Sequence, residues 1–204
     1  PSALPTLAPL TDAMRKKFPK LSFTVLSLSS EEIRRSLEDF TIDVGVTYLD
    51  NEPIDLAVSK PLYMERYRLF VRDDHPLAGR ESVEWAEAAK HPVSLLTPNM
   101  QNRRIIESAF RKAGAQVVPE LESNSIVNLY THVQMAGLAT VLPEIFIGLM
   151  GDEGRIRAIP LVSPVVEHSV GLVAHDRDPL PKVVKAMLDL VGTYVLPGNL
   201  SGRT

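Results

Sequence analysis

The spacing of apolar residues along this chain switches repeatedly between a period of two and a period near three and a half, which restricts the fold to strands interleaved with helices. Leu7, Leu10, Met14 and Phe18 recur at helical spacing until Pro19 ends the run. Phe23 and Val25 alternate with Ser22 and Thr24, which predicts a strand over 21–28. Ser29 and Glu32 have capping-box spacing and open a short helix with Ile33 and Leu37 on one face. Ile42, Val44 and Val46 alternate as a strand that ends near Thr47 and Tyr48, and apolar runs follow at 56–58 and 69–71. Residues 93–96 read as a buried strand. The helix after it bears Ile105, Ile106, Ala109, Phe110 and Ala113, with Gly114 suited to the position beyond its end. Ser125 is placed to cap a helix presenting Ile126, Leu129, Tyr130 and Val133, which stops at Gly137. A strand over 138–142 follows, and Pro143 suits the start of another helix. Residues 170–173 form a late strand, and a last helix runs from about Pro179 with Val184, Met187, Leu188 and Val191 inward.

Such an order predicts an α/β fold with parallel sheets covered on both faces. Facing sheet ends leave a cleft, the usual ligand site of open α/β architecture. A length of 204 residues accommodates one large domain or two small ones. Hydrophobic residues at 45% and charged residues at 23% fit a globular chain rather than a disordered one. A formal net charge of -3 gives the chain no basic surface for nucleic acid. Arg15, Lys16, Lys17 and Lys20 read as the charged end of a helix, complementing its carbonyl dipole. Without cysteine there is no disulfide framework, thiolate metal site or cysteine nucleophile. The lack of cysteine favours a cytoplasmic location, which is expected; no apolar stretch is long enough to span a bilayer and no signal-peptide pattern opens the chain.

Catalytic motifs are missing from the sequence. His75, His91, His132, His168 and His175 show no metal-site spacing, and no Gly-x-Ser-x-Gly elbow or Gly-x-x-x-x-Gly-Lys loop occurs. His75 and His91 each precede a proline in turn-like sequence. The adjacent pairs Glu31–Glu32 and Asp73–Asp74 do not converge on one substrate and read as solvated faces, while Trp85 reads as packing. Neither an enzyme nor a bound cofactor or metal is expected.

Several segments resemble one known family. They are Pro-Ser-Ala-Leu-Pro at 1–5, Ser-Ser-Glu-Glu at 29–32, and the strand Ile-Asp-Val-Gly-Val at 42–46. Val-Arg-Asp-Asp-His-Pro-Leu-Ala at 71–78 and Glu-Ser-Asn-Ser at 122–125 continue the set, and Ala-Gly-Leu-Ala-Thr-Val-Leu-Pro at 136–143 completes it. In order and spacing the set resembles the effector-sensing domain of bacterial LysR-type transcription regulators. Ala139 departs from the glycine common there, and the first strand of the fold is absent before Pro1. The resemblance implies two Rossmann-like subdomains joined by two crossover strands, similar to type 2 periplasmic binding proteins. Subdomain I would be 1–70 with 170–204, subdomain II 71–169, and the crossings would lie near 68–72 and 168–171. It also implies an N-terminal winged helix-turn-helix, which nothing in this chain matches.

The family further implies helix beginnings that face the cleft after Ser2 and Ala3, after Met100 and Gln101, and at Ser125. Helix starts expose unpaired amides and partial positive charge, so they favour an anionic or carbonyl-bearing ligand. Ser2, Thr97, Asn99, Gln101, Asn124 and Ser125 add short polar groups there. Positions matching Ser2, Thr97 and Ser125 often touch effectors in the family. Thr47 lies at a strand end facing the same region, Pro98 belongs to the same turn as Asn99, and Arg103 could offer a charge. The plain structural alternative makes Ser125 a helix cap, Asn99 and Gln101 turn formers, and Arg103 a surface residue.

The expectation is a ligand-operated switch that binds a small anionic metabolite and responds by changing subunit geometry. The family implies dimers through this domain and tetramers of the full-length protein, with the helix around 11–18 and the strand 21–28 at the interface. Promoter DNA and RNA polymerase would be contacted through the full-length protein only. A solute-binding protein of a transporter shares the fold and stays open as an alternative. So does an enzyme of that fold resembling prephenate dehydratase or porphobilinogen deaminase.

Overall fold

The computed structural model describes residues 4–52, 54, 57–147 and 155–191. In chain order its elements begin with α1 (Leu4–Lys17), α2 (Ser30–Glu38), β1 (Gly45–Tyr48), β2 (Ala57–Arg72) and β3 (Val83–Glu84). Next come α3 (Trp85–Ala88), β4 (Val93–Leu96), α4 (Gln101–Lys112), β5 (Leu121–Ser123), α5 (Ile126–Ala136) and β6 (Ala139–Pro143). A 3-10 turn at Glu144–Phe146 leads to β7 (Ile156–Val162), β8 (Glu167–His175) and α6 (Lys182–Val191). The chain divides into two compact units: unit 1 is Pro1–Met64 with His168–Thr204, and unit 2 is Glu65–Glu167. The sequence places these divisions at 70/71 and 169/170.

In unit 1, β8 pairs antiparallel with β1, from Gly45 opposite Val173 to Tyr48 opposite Val170, and has β2 as its other neighbour. Leu10 and Met14 of α1 pack with Leu172, Val184 and Met187 in one core cluster. The helix ends in Arg15, Lys16 and Lys17, where positive charge meets the free carbonyls. The capping box of α2 is present: the Ser29 amide donates to Glu32 Oε2 at 2.7 Å and the Glu32 amide to Ser29 Oγ at 3.3 Å. Ile33 and Leu37 are the buried residues of that helix, as their spacing predicts.

Two strand expectations need correction. No strand forms over 21–28. Leu21 and Phe23 lean on the core while Val25 and Leu26 are 57% and 56% exposed, so the alternation records one-sided packing without a ladder partner. The runs at 56–58 and 69–71 are not separate strands but parts of one 16-residue strand, β2, which passes from unit 1 into unit 2. The polar Ser59 and Lys60 inside it break the apolar pattern and hide its continuity.

The sheet of unit 2 is mixed rather than parallel. β4 lies between β5 and β6 and is parallel to both. β2 is antiparallel to β6 on one edge and to β7 on the other, and β3 lies parallel to β7. The parallel part is the helix-connected one, and β2, which arrives from unit 1, runs against it. The sequence reading omits β3, β5 and β7; two of them are very short, and Pro160 interrupts the third. Gly114 at φ +72 and Gly137 at φ +71 end α4 and α5 in the left-handed conformation expected of them.

Leu129 and Val133 of α5 are fully buried against Phe70, Leu96 and Leu142, each contributing about 2 kcal/mol by leaving water. Trp85 is packing, as expected: it is fully buried, stands edge-on to Phe110 at 5.1 Å, and donates its Nε1–H to the Pro164 carbonyl at 2.8 Å. Among the described residues no helix is long and apolar enough to cross a membrane.

Candidate functional site

In unit 2 the chain leaves β4 through α4 to reach β5 on one side, then returns through α5 to β6 on the other. That reversal makes the C-terminal end of β4 a topological switch point, where helices diverge and open-sheet proteins leave room for ligands. β4 and β5 end level, with Leu96 opposite Ser123. Thr97 stands immediately past that edge. Its amide donates to the Ser123 carbonyl at 3.1 Å and its carbonyl accepts from the Met100 amide at 3.0 Å. Its hydroxyl Oγ1 is buried and has no hydrogen-bond partner. Leaving such a group unmatched costs about 1–3 kcal/mol, a cost that a bound acceptor would remove.

At neither helix that starts at this edge does the N-cap residue supply a capping side chain. The N-cap of α4 is Met100, which has no group to offer, and the N-cap of α5 is Ser125, whose hydroxyl makes no cap hydrogen bond. The plain reading of Ser125 as a side-chain cap is therefore corrected. Ser123 does the local work instead, its Oγ accepting from the Ser125 amide at 3.1 Å and from Asn128 Nδ2 at 3.2 Å. Neither N-cap side chain covers the start of its helix, and the partial positive charge of the two helix starts suits an anion.

The charged residues nearby are committed. Arg103 is 4% exposed; its Nη1 donates to the Leu96 carbonyl and to Glu122 Oε1, both at 2.6 Å, and its Nε to Glu107 at 2.9 Å. The guanidinium braces the ends of β4 and β5 from behind, so its charge is already matched by carboxylates. Arg104 Nη1 donates to the Asn99 carbonyl at 2.9 Å and the Pro98 carbonyl at 3.2 Å, fixing the turn between β4 and α4.

The structure thus gathers Thr97, Pro98, Asn99, Met100, Gln101, Arg103, Asn124 and Ser125 on one edge of unit 2. Pro98, Asn99 and Asn124 are exposed there, whereas Met100 and Gln101 are buried. Thr47 is a buried residue of β1 in unit 1, opposite Gly171. Ser2 and Ala3 lie outside the described residues. Sequence reasoning weighed Arg104 beside Arg103 as a charge for an anion but passed over Ser123 as a site residue. A serine two residues before the N-cap of a helix is the signal that could have found it.

A family model described as LysR substrate binding domain matches residues 1–195. A probable nitrogen assimilation transcriptional activator of Synechocystis is 27% identical over 177 residues, covering 82% of this chain and 49% of that protein. The DNA-binding transcriptional dual regulator OxyR of Escherichia coli is 24% identical over 180 residues, covering 88% of this chain and 58% of its own length. The chain therefore spans about half the length of the curated relatives it matches. Among solved structures, the CcmR regulatory domain of Synechocystis in complex with 2-PG superposes with a TM-score of 0.84 at 15% identity, covering 94% of this chain and 92% of that one. The effector binding domain of QuiR in complex with shikimate gives a TM-score of 0.77 at 18% identity, covering 91% and 88%.

Proposed function

Because the chain belongs to the LysR substrate-binding domain family, we propose that it senses a small anionic metabolite on the unit 2 edge and reports it by a change of conformation rather than by chemistry. The observation that carries this reading is the buried, unpartnered hydroxyl of Thr97 between two helix starts whose N-cap side chains make no cap hydrogen bond. A carboxylate or phosphate oxygen accepts from a hydroxyl and from helix-leading amides without needing a counter-charge. That suits a site where Arg103 is already paired with Glu122 and Glu107. The structural relatives in complex with 2-PG and with shikimate support a small-molecule effector.

Sensing by thiol oxidation does not fit this chain. Several relatives are hydrogen peroxide-inducible genes activators, but the sequence contains no cysteine to oxidise. A non-covalent effector that binds one conformation better than another supplies the switch instead. In the longer protein that the relatives suggest, we place a winged helix-turn-helix on the N-terminal side, promoter DNA and RNA polymerase as its partners, and the cytoplasm as its location. Self-association as a dimer through this domain, and a tetramer of the whole, completes the reading. The exposed apolar Val25 and Leu26, in the segment that follows α1, support that interface.

A thermal-shift screen of short organic acids and phosphate esters tests the site. A true effector at 100 times its Kd should stabilise the chain by about 2.7 kcal/mol. Ser125→Leu, which fills the entrance of α5, should abolish that shift. An undiminished shift in the variant contradicts the placement.

A further inference from the structure

A hollow lies wholly within unit 1, where the turn after α2 meets the end of β8 and the start of α6. Leu180 and Val184 give it an apolar lining, and Phe40, Asp43, His175 and Arg177 complete its wall. Phe40 holds a left-handed backbone at φ +56, immediately after the C-cap Asp39 of α2. That position is ordinarily glycine's, because a side chain there is strained. The ring is nevertheless 58% exposed, so its bulk is not retained to fill the core. It lies instead 4.7 Å from the His175 ring and 5.5 Å from the Arg177 guanidinium carbon. His175 Nδ1 is buried without a hydrogen-bond partner. Asp43 and Arg177 form no ion pair among the described residues.

We propose that this hollow is a second ligand site and that it takes a free α-amino acid with an apolar side chain. The wall presents one acceptor, the Asp43 carboxylate, and one cation, Arg177. An ammonium group serves the Asp43 carboxylate, a carboxylate serves the guanidinium, and the side chain covers Leu180 and Val184. A plain carboxylic acid leaves Asp43 facing an anion, and a plain amine leaves Arg177 unanswered. The zwitterion meets both charged groups with no net charge to bury.

The test is a titration of this chain with L-leucine, 4-methylpentanoate and 3-methylbutylamine, followed by NMR of the histidine and phenylalanine rings. L-Leucine should shift His175 and Phe40 saturably with a Kd of about 1 mM or lower, and the acid and amine should bind at least about tenfold more weakly. Asp43→Asn and Arg177→Gln should each weaken leucine binding by about tenfold, and Thr97→Val should leave it unchanged. Equal binding of the acid or amine overturns the assignment, as do saturable shifts confined to unit 2. So does the absence of any shift up to about 10 mM. Should either variant fail to fold, the three ligands compared on the unaltered chain still decide. A response restricted to His175 and Phe40 says nothing against an effector on the unit 2 edge, so the two sites fail separately.

Discussion

Arg103 in the first turn of α4 donates to Glu122 of β5 at 2.6 Å, with the arginine side chain 5% and the glutamate 41% exposed. The same Nη1 reaches the Leu96 carbonyl, so a single guanidinium ties together the ends of two parallel strands and the start of a helix. Truncating Arg103→Ala leaves Glu122, Glu107 and that carbonyl without their donor and should cost about 3 kcal/mol. Glu122→Gln should cost only about 1 kcal/mol, because Glu122 is largely solvated and Glu107 keeps its hold. Urea unfolding curves of the two variants should separate in that order. Equal losses would show that the arginine's charge is not what matters.

Thr97→Val should separate stability from sensing. The hydroxyl has no partner to lose, so the isosteric change should leave stability unaltered or raise it by about 1 kcal/mol. Effector affinity should fall by about tenfold, the loss of one hydrogen bond to a charged oxygen. Calorimetry of binding beside chemical unfolding checks both halves.

Acid should weaken the fold in two stages. His75 is held below its ordinary 6.5, by burial first and by the neighbouring His91 second, against the pull of Asp74. Its neutral form belongs to the folded state, so the stability it contributes is present above 6.5 and declines as pH falls below that value. Glu31 is drawn from 4.5 to about 2, foremost by its hydrogen bond from Arg34, and Glu32 is lowered by the Ser29 amide and hydroxyl. Stabilisation from these carboxylates is present above 4.5 and is lost as pH drops through the folded value, about 2 for Glu31. Denaturation midpoints should therefore decline first below 6.5 and again between 4.5 and about 2. In His91→Gln the His75 ring should titrate higher than in the unaltered chain, as followed by NMR.

Gly171 should not tolerate a methyl group. A Cβ there would stand 2.6 Å from the Lys60 carbonyl oxygen of β2, a backbone atom that cannot swing aside, and would also strike the Leu49 side chain. Gly171→Ala should cost about 2–3 kcal/mol by forcing β8 off its neighbour. Amide exchange should quicken along β1 and β8 while β4 and β5 keep their protection.

Local chemistry that announces itself within a few residues was legible in the sequence. The Ser29–Glu32 box, the glycine ends of α4 and α5, and the buried faces of α2 and α4 all follow from spacing alone. What failed depended on a partner distant in the chain. The alternation at 21–28 has no neighbouring strand to pair with, and the polar middle of β2 is strand because it is the passage between units. The direction of β2 against β6 was hidden for the same reason, since no residue encodes its own register. At the site, Ser125 and Thr97 were visible as residue types. Only coordinates show that neither hydroxyl caps a helix and that Arg103 is already engaged.

Unit 2 is one uninterrupted stretch, whereas unit 1 needs β8, made last, to sit between β1 and β2. On the ribosome the inserted unit can complete its sheet while the flanking one still waits for its central strand. The single tryptophan, Trp85, lies in the early unit. Its burial during synthesis should therefore precede the protection of the Gly45–Tyr48 amides, an order of events written into the connectivity rather than into any contact.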